Sequence, residues 1–119
     1  MTAYVISEVE VLDESQGQRY RELASASIAQ YGGRYLVRGA EPEVPEGTWP
    51  GNQRVVIVEF PTMQDLQRWY RSAEYAEALA LRRTALNRRL LFVEGVGGQQ
   101  PGSTPVAPPS AEHWTPSVD

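Results

Sequence analysis

The segment Tyr31-Gly32-Gly33-Arg34-Tyr35-Leu36-Val37-Arg38-Gly39 constrains the fold of this chain more than any other. Ahead of it, Tyr20, Leu23, Ala24, Ser27, Ile28 and Tyr31 recur at the spacing of one helix face, which predicts an amphipathic helix. Gly32-Gly33 stops that helix, because glycine accepts the left-handed backbone of a helix C-terminus without steric cost. Arg34 to Gly39 then alternates as a strand, with Arg34, Leu36 and Arg38 expected on one face and Tyr35, Val37 and Gly39 on the other. A helix that reverses directly into a strand belongs to a layered α and β fold, and an arginine within such a strand is costly unless paired or used.

The remaining elements show the same two periods. Tyr4 to Val11 reads as a first strand rich in β-branched residues, and Ser15-Gln16-Gly17-Gln18 has the spacing of a capping box for the next helix. Glu41 to Asn52 carries three prolines and two glycines and reads as a loop. Arg54 to Phe60 is the most apolar strand and is expected in the sheet interior. Thr62 caps a helix whose inward stripe is Met63, Leu66, Trp69 and Tyr70, and Ser72 caps a further helix from Ala73 to about Asn87, with Tyr75, Ala76, Leu79 and Leu86 inward. Leu90 to Glu94 is the last strand. The order β-α-β-β-α-β predicts a ferredoxin-like α+β domain over residues 1–95, a four-stranded antiparallel sheet with helices on one face. The bare face needs a cover, and a second copy of the chain is the simplest one, so a homodimer with the two sheets face to face is expected. Residues 96–119, with five prolines between Gln99 and Asp119, read as a tail that is disordered or loosely draped, with Trp114 its anchor if it is held.

Composition removes whole classes of chemistry. There is no cysteine, hence no disulfide, thiolate nucleophile or cysteine-held metal, and all 11 basic residues are arginine, which excludes a Schiff-base lysine. The single histidine, His113, lies in the tail, so a Ser-His-Asp triad, a histidine metal site and a proximal haem histidine all lack support in the body, and no metal and no cofactor are expected. A net charge of −4 without a basic stripe argues against nucleic acid as a partner. No apolar run approaches the ~20 residues of a membrane span, and Met1-Thr2-Ala3-Tyr4 lacks the basic start of a secretory signal, so the expectation is a cytoplasmic protein without membrane contact.

With these blocks in place, the chain resembles the DUF1330 family of the dimeric α+β barrel superfamily. The resemblance is carried by Tyr31 to Gly39, by Val56-Ile57-Val58-Glu59-Phe60-Pro61-Thr62, by Trp69-Tyr70-Arg71-Ser72-Ala73-Glu74-Tyr75, and by Ala80-Leu81-Arg82 and Val93-Glu94-Gly95. Ala40 and Ala73 stand where the family usually has glycine and proline. The resemblance implies a ferredoxin-like protomer and a dimer. The superfamily holds cofactor-free oxygenases, isomerases, polyketide cyclases, haem enzymes and ligand binders, so it implies no single reaction.

The candidate catalytic residues are Arg38 and Glu59. An arginine inside a barrel can hold a carboxylate or enolate in its planar fork, or it can form an ion pair with Glu59 or Glu94. Glu59 comes after Val55 and Ile57 on one strand face, and an apolar setting raises a carboxylate's pKa towards the range of a general acid or base. It can equally anchor the adjoining helix. Tyr31, Trp69, Tyr70 and Tyr75 are core aromatics or pocket walls whose hydroxyls seek partners, Arg82 is a pocket-edge or solvated cation, and Trp49 in the long loop suggests a lid or a dimer contact. The leading expectation is a cofactor-free enzyme for a small, partly apolar organic molecule, doing proton-transfer chemistry of the isomerase, cyclase or lyase type, with a setting in secondary metabolism. The alternatives are a non-catalytic ligand-binding or accessory dimer and a cofactor-free monooxygenase.

Overall fold

In the first strand, Ala3, Val5 and Ser7 are buried while their neighbours are half-buried, the period-two signature of a strand with one covered face. The computed structural model describes residues 1–96; the proline-rich tail, with His113 and Trp114, lies outside the described residues. The elements are β1 (Ala3–Val11), α1 (Glu14–Gln30), β2 (Arg34–Ala40), β3 (Arg54–Phe60), α2 (Met63–Tyr70), α3 (Ala73–Ala85) and β4 (Leu86–Glu94). The strands pair antiparallel in the order β2-β3-β1-β4, so β3 is internal as its apolar sequence predicts. This is the ferredoxin-like α+β arrangement.

The core lies between the sheet and the helices. Val5, Val58 and Phe60 meet Tyr20, Ala24 and Ile28 of α1 and Leu66, Trp69, Tyr75 and Ala78 of the later helices. Each fully buried large side chain of this set contributes about 2–3 kcal/mol of hydrophobic stabilisation. Inward positions of α3 are Tyr75 and Ala78, whereas Ala76, expected inward, is exposed.

Helix boundaries depend on side-chain caps. The Asp13 carboxylate, not Ser15, accepts the Gln16 N–H at 3.0 Å and starts α1 two residues ahead of the expected box. Thr62 and Ser72 cap α2 and α3 as the sequence predicts, each accepting an N–H at 3.0 Å. At the end of α1, Gly32 takes φ 84° and the Gly33 N–H returns to the Ile28 carbonyl at 2.9 Å. A Cβ on Gly33 would lie 2.8 Å from Ile28 and Phe60, so the close seating of this turn on β3 requires the second glycine.

Two departures from the expected pattern position the site. First, β4 begins at Leu86, directly after α3, and not at Leu90; Asn87, Arg88 and Arg89 are therefore strand residues opposite Glu10, Val9 and Glu8. Second, β2 is bulged. Arg34 stands opposite Glu59 and Tyr35 opposite Val58, but Val37 then stands opposite Ile57 and Arg38 opposite Val56. One extra residue, Leu36, reverses the faces of Val37 and Arg38. Arg38 therefore shares the helix-covered face with Tyr35, and not the face of Arg34.

Candidate functional site

A cavity of about 520 Å³ lies between the helix-covered face of the sheet and α1. Its inner wall is buried and mostly apolar, made by Val5, Val58, Ala24, Ile28 and Trp69, and its mouth is edged by the exposed Glu14, Arg38, Asn52 and Arg54. A largely apolar concavity with a few convergent polar groups is the ordinary form of a small-molecule site.

Strand register orders the polar groups. Across the sheet, Arg38, Val56, Ser7 and Leu90 form one row from β2 to β4, and Arg54, Val9 and Arg88 form the adjacent row. Arg38 lies over the Tyr35 ring, 4.3 Å from its centroid, and donates to Ser25 Oγ of α1 at 2.8 Å. Arg54 donates to the Gly39 carbonyl at 3.4 Å, and Arg21 of α1 to Gln18 Oε1 at 3.1 Å. Arg88 reaches between two phenols, donating at 2.7 Å to Tyr20 Oη and at 2.7 Å to Tyr75 Oη, which are themselves 2.6 Å apart. Among the described residues, none of these four cavity arginines has a carboxylate partner.

Burial raises the Tyr20 phenol well above the ordinary tyrosine value, and the adjoining Tyr75 phenol adds to this, so Tyr20 stays protonated. Burial opposes the charge on Arg88, but the two phenolic oxygens outweigh it and leave the guanidinium more strongly protonated. Ser7 is 3 % exposed and its Oγ has no hydrogen-bond partner among the described residues, although it lines the cavity. An unpartnered buried hydroxyl costs about 1–3 kcal/mol, a penalty that a ligand oxygen would relieve.

Of the residues expected at a site from sequence, Arg38 and Trp69 line the cavity, the latter fixed by an indole N–H to Ser27 Oγ at 2.9 Å. Tyr75 stands behind the wall and acts on the cavity through Tyr20 and Arg88. Glu59 does not meet Arg38. It faces the uncovered side of the sheet, where it accepts from Arg34 Nε at 2.7 Å, so the expected Arg38–Glu59 pair is split between two faces by the β2 bulge. Tyr31, Tyr70, Arg82 and Trp49 are not part of the cavity wall. Tyr31 donates to Glu74 at 2.8 Å, Tyr70 packs on Phe92, the Arg82 carbonyl closes the end of α3, and the half-buried Trp49 donates to the Gln53 carbonyl at 3.4 Å. The hydrogen bond to Glu74 raises the Tyr31 phenol and lowers the Glu74 carboxyl.

Sequence reasoning missed Ser7, Glu14, Tyr20, Arg54 and Arg88. Ser7 had a signal, being polar in the inward series Val5, Ser7, Val9, Val11. Tyr20 was expected inward, but not its partners. Among the described residues there is no cluster of histidine, cysteine and carboxylate side chains of a size to hold a metal ion, and no helix is long and apolar enough to cross a membrane.

Solved structures share this fold at low identity. A protein of unknown function from Rhodopseudomonas palustris is 17% identical with a TM-score of 0.66, over 80% of this chain and 82% of that one. SnoaB, a cofactor-independent oxygenase from Streptomyces nogalater, is 10% identical with a TM-score of 0.60, over 83% and 97% of the two chains. A dimeric protein of unknown function and ferredoxin-like fold from Bacteroides fragilis is 16% identical with a TM-score of 0.55, over 79% and 96%. No curated protein matches the sequence. The glycine turn, the strand with its arginine and the capped helices fall within residues 2–96, which match the model of the domain of unknown function DUF1330, and the chain belongs to that family.

Proposed function

We propose that the cavity binds a small, partly apolar organic anion and that the protein catalyses proton transfer on it. The observation that carries this reading is the set of cavity arginines, Arg21, Arg38, Arg54 and Arg88, which have neutral acceptors and no carboxylate among the described residues. Unneutralised guanidinium groups around an apolar hollow favour an anion with a hydrophobic body. Arg38 holds the carboxylate, Trp69 and Ile28 contact the body, and Glu14, the carboxylate of the cavity lining, takes the proton in the role that sequence reasoning gave to Glu59.

Calorimetric titration tests binding. The carboxylate 4-phenylbutanoate is expected to bind, its neutral amide to bind at least tenfold more weakly, and the double variant Arg38→Ala, Arg54→Ala to lose that difference. Equal binding of acid and amide overturns the anion reading. Catalysis is read as deuterium uptake beside the ketone of 4-oxo-4-phenylbutanoate in heavy water, expected above the buffer rate and lost in Glu14→Gln. Binding without exchange leaves the non-catalytic ligand-binding dimer as the better description.

A second reading is cofactor-free oxygenation, supported by the shared fold of SnoaB and by a tryptophan in the cavity wall. Oxygen uptake with phenolic acids, measured with an oxygen electrode, separates it from proton transfer. For the assembly, the reading is a homodimer through the uncovered sheet face, where Leu91 and Val93 are 46% and 41% exposed beside Ile6 and Ile57. The dimeric state of the Bacteroides fragilis protein supports it.

A further inference from the structure

The polar groups on the sheet side of the cavity fall into two sets, Arg38 and Arg54 on β2 and β3, and Ser7 and Arg88 on β1 and β4. Arg38 stands on β2 and Arg88 on β4, the two edge strands, so at ~4.8 Å per strand their backbones lie about 14 Å apart across the strand direction. Between them the inner wall is apolar apart from Ser7. The β2 side, with Arg38 and the adjacent Arg54, offers two guanidinium groups, the arrangement that suits a full negative charge.

The β4 side differs in chemistry. Arg88 gives one N–H to each phenolic oxygen, and the two phenols share one further hydrogen bond. Two phenols have two protons, so one phenolic proton is left without an acceptor inside the cluster. Tyr20 lines the cavity and Tyr75 does not, so with Tyr75 donating to Tyr20 the remaining proton is the Tyr20 hydroxyl's, free to turn into the cavity. Ser7 is the diagonal neighbour of Arg88 across the β1–β4 ladder, since Ser7 pairs with Leu90 and Val9 with Arg88; such neighbours lie ~7–8 Å apart. Its buried Oγ has no partner among the described residues. Two hydroxyls with unused hydrogen-bonding capacity, one of them backed by a cation, suit an oxygen that is neutral in the bound state and gains charge during reaction.

We propose that the ligand is an enolisable oxo-acid, its carboxylate held by Arg38 and Arg54 and its carbonyl oxygen received by Tyr20 and Ser7. This rests on the anion reading above and adds the second anchoring point. In the step it implies, Glu14 takes a proton from the carbon beside the carbonyl. The C–H electron pair forms the enolate double bond, and the carbonyl pair moves onto oxygen, which the Tyr20 O–H stabilises by hydrogen bonding while keeping its own proton. Reversal returns a proton from Glu14 to carbon, so no oxidant or further reactant is consumed.

The test compares three probes on the full chain by calorimetry: 4-oxo-4-phenylbutanoate, 4-phenylbutanoate, which lacks the ketone, and butyrophenone, which lacks the carboxylate. The oxo-acid is expected to bind about tenfold more tightly than 4-phenylbutanoate, the worth of a hydrogen bond or two. Ser7→Ala and Tyr20→Phe should each remove most of that advantage and leave 4-phenylbutanoate unchanged, with folding of each variant checked by circular dichroism. If Tyr20→Phe does not fold, Ser7→Ala decides, since it deletes an atom with no partner among the described residues. Equal affinity for the two acids in the parent protein, or an advantage that survives both substitutions, overturns the two-point inference while the anion reading stands. Failure of both acids to bind overturns that reading as well.

Discussion

On the uncovered face of the sheet, Arg34 meets Glu59 and Arg89 meets Glu8, each at 2.7 Å. On the covered face, Arg38, Arg54 and Arg88 meet a serine, a carbonyl and two phenols. Arg88 and Arg89 are adjacent in sequence, and strand alternation alone sends them to opposite faces. Pairing costs little on the uncovered face, where the arginines remain well exposed and the pairs share with Leu91, Ile6 and Ile57 the surface proposed for a second copy. On the covered face, an ion pair to any of these arginines would cancel the charge that the proposed anionic ligand needs; Glu14 lines the same cavity but pairs with none of them. The difference separates arginines paired to carboxylates on a surface from arginines that meet neutral acceptors beside a cavity.

The largest effect is expected where the uncovered face is broken. Leu91→Glu places a charge twice in a symmetric contact and should weaken self-association roughly 100-fold, the cost of about 2.7 kcal/mol. Sedimentation velocity reads it, and an unchanged dimer would remove this face as the contact.

The adjacent arginines give the sharpest comparison. Arg88→Met strips charge-assisted hydrogen bonds from two buried phenols and should cost about 3 kcal/mol in urea unfolding. Arg89→Met removes a solvent-exposed ion pair and should cost about 0.5 kcal/mol. Equal losses would mean that the two faces do not differ energetically.

Alkaline titration examines the covered face through Tyr20. Tyr20 is raised above its ordinary 10.0, so the unfolded chain releases this proton first as pH rises. The stability it contributes is complete below pH 10 and falls above it by about 1.4 kcal/mol per pH unit. Tyr20→Phe should flatten that slope, and phenolate absorbance assigned to Tyr20 should be missing from the native protein at pH values where ordinary tyrosines titrate.

Ser7→Ala is the smallest effect and has the opposite sign. Removing an unpartnered buried hydroxyl should stabilise the ligand-free protein by about 1 kcal/mol. A loss of stability instead would show that Ser7 has a partner in the folded chain.

Much of the frame was legible because it is local. The caps at Thr62 and Ser72, the glycine stop after Tyr31 and the bounds of β3 each depend on residues within a few positions of one another. Misreadings cluster where local signals compete. Ser15 and Asp13 are both good caps, and the backbone chose the one that lets Leu12 donate to the Ala85 carbonyl at 2.8 Å. Asn87-Arg88-Arg89 reads as the basic end of a helix, and only pairing with Val9 and its neighbours on β1 turns it into strand. The site was less legible for that reason: Arg88 lay in a segment read as helix, and its phenols come from residues 55 positions apart.

The sequence by itself determined the order of elements, the family, and the absence of cysteine, lysine and body histidine from any chemistry. It also marked Arg38 as a charge that folding does not explain. Which side of the sheet Arg38 and Glu59 occupy was decided only by tertiary structure. Strand alternation has period two, so a single bulged residue at Leu36 inverts the faces assigned to Val37 and Arg38. Whether a strand bulges depends on its partner's register and on the helix packed above it, and no window of local sequence contains either.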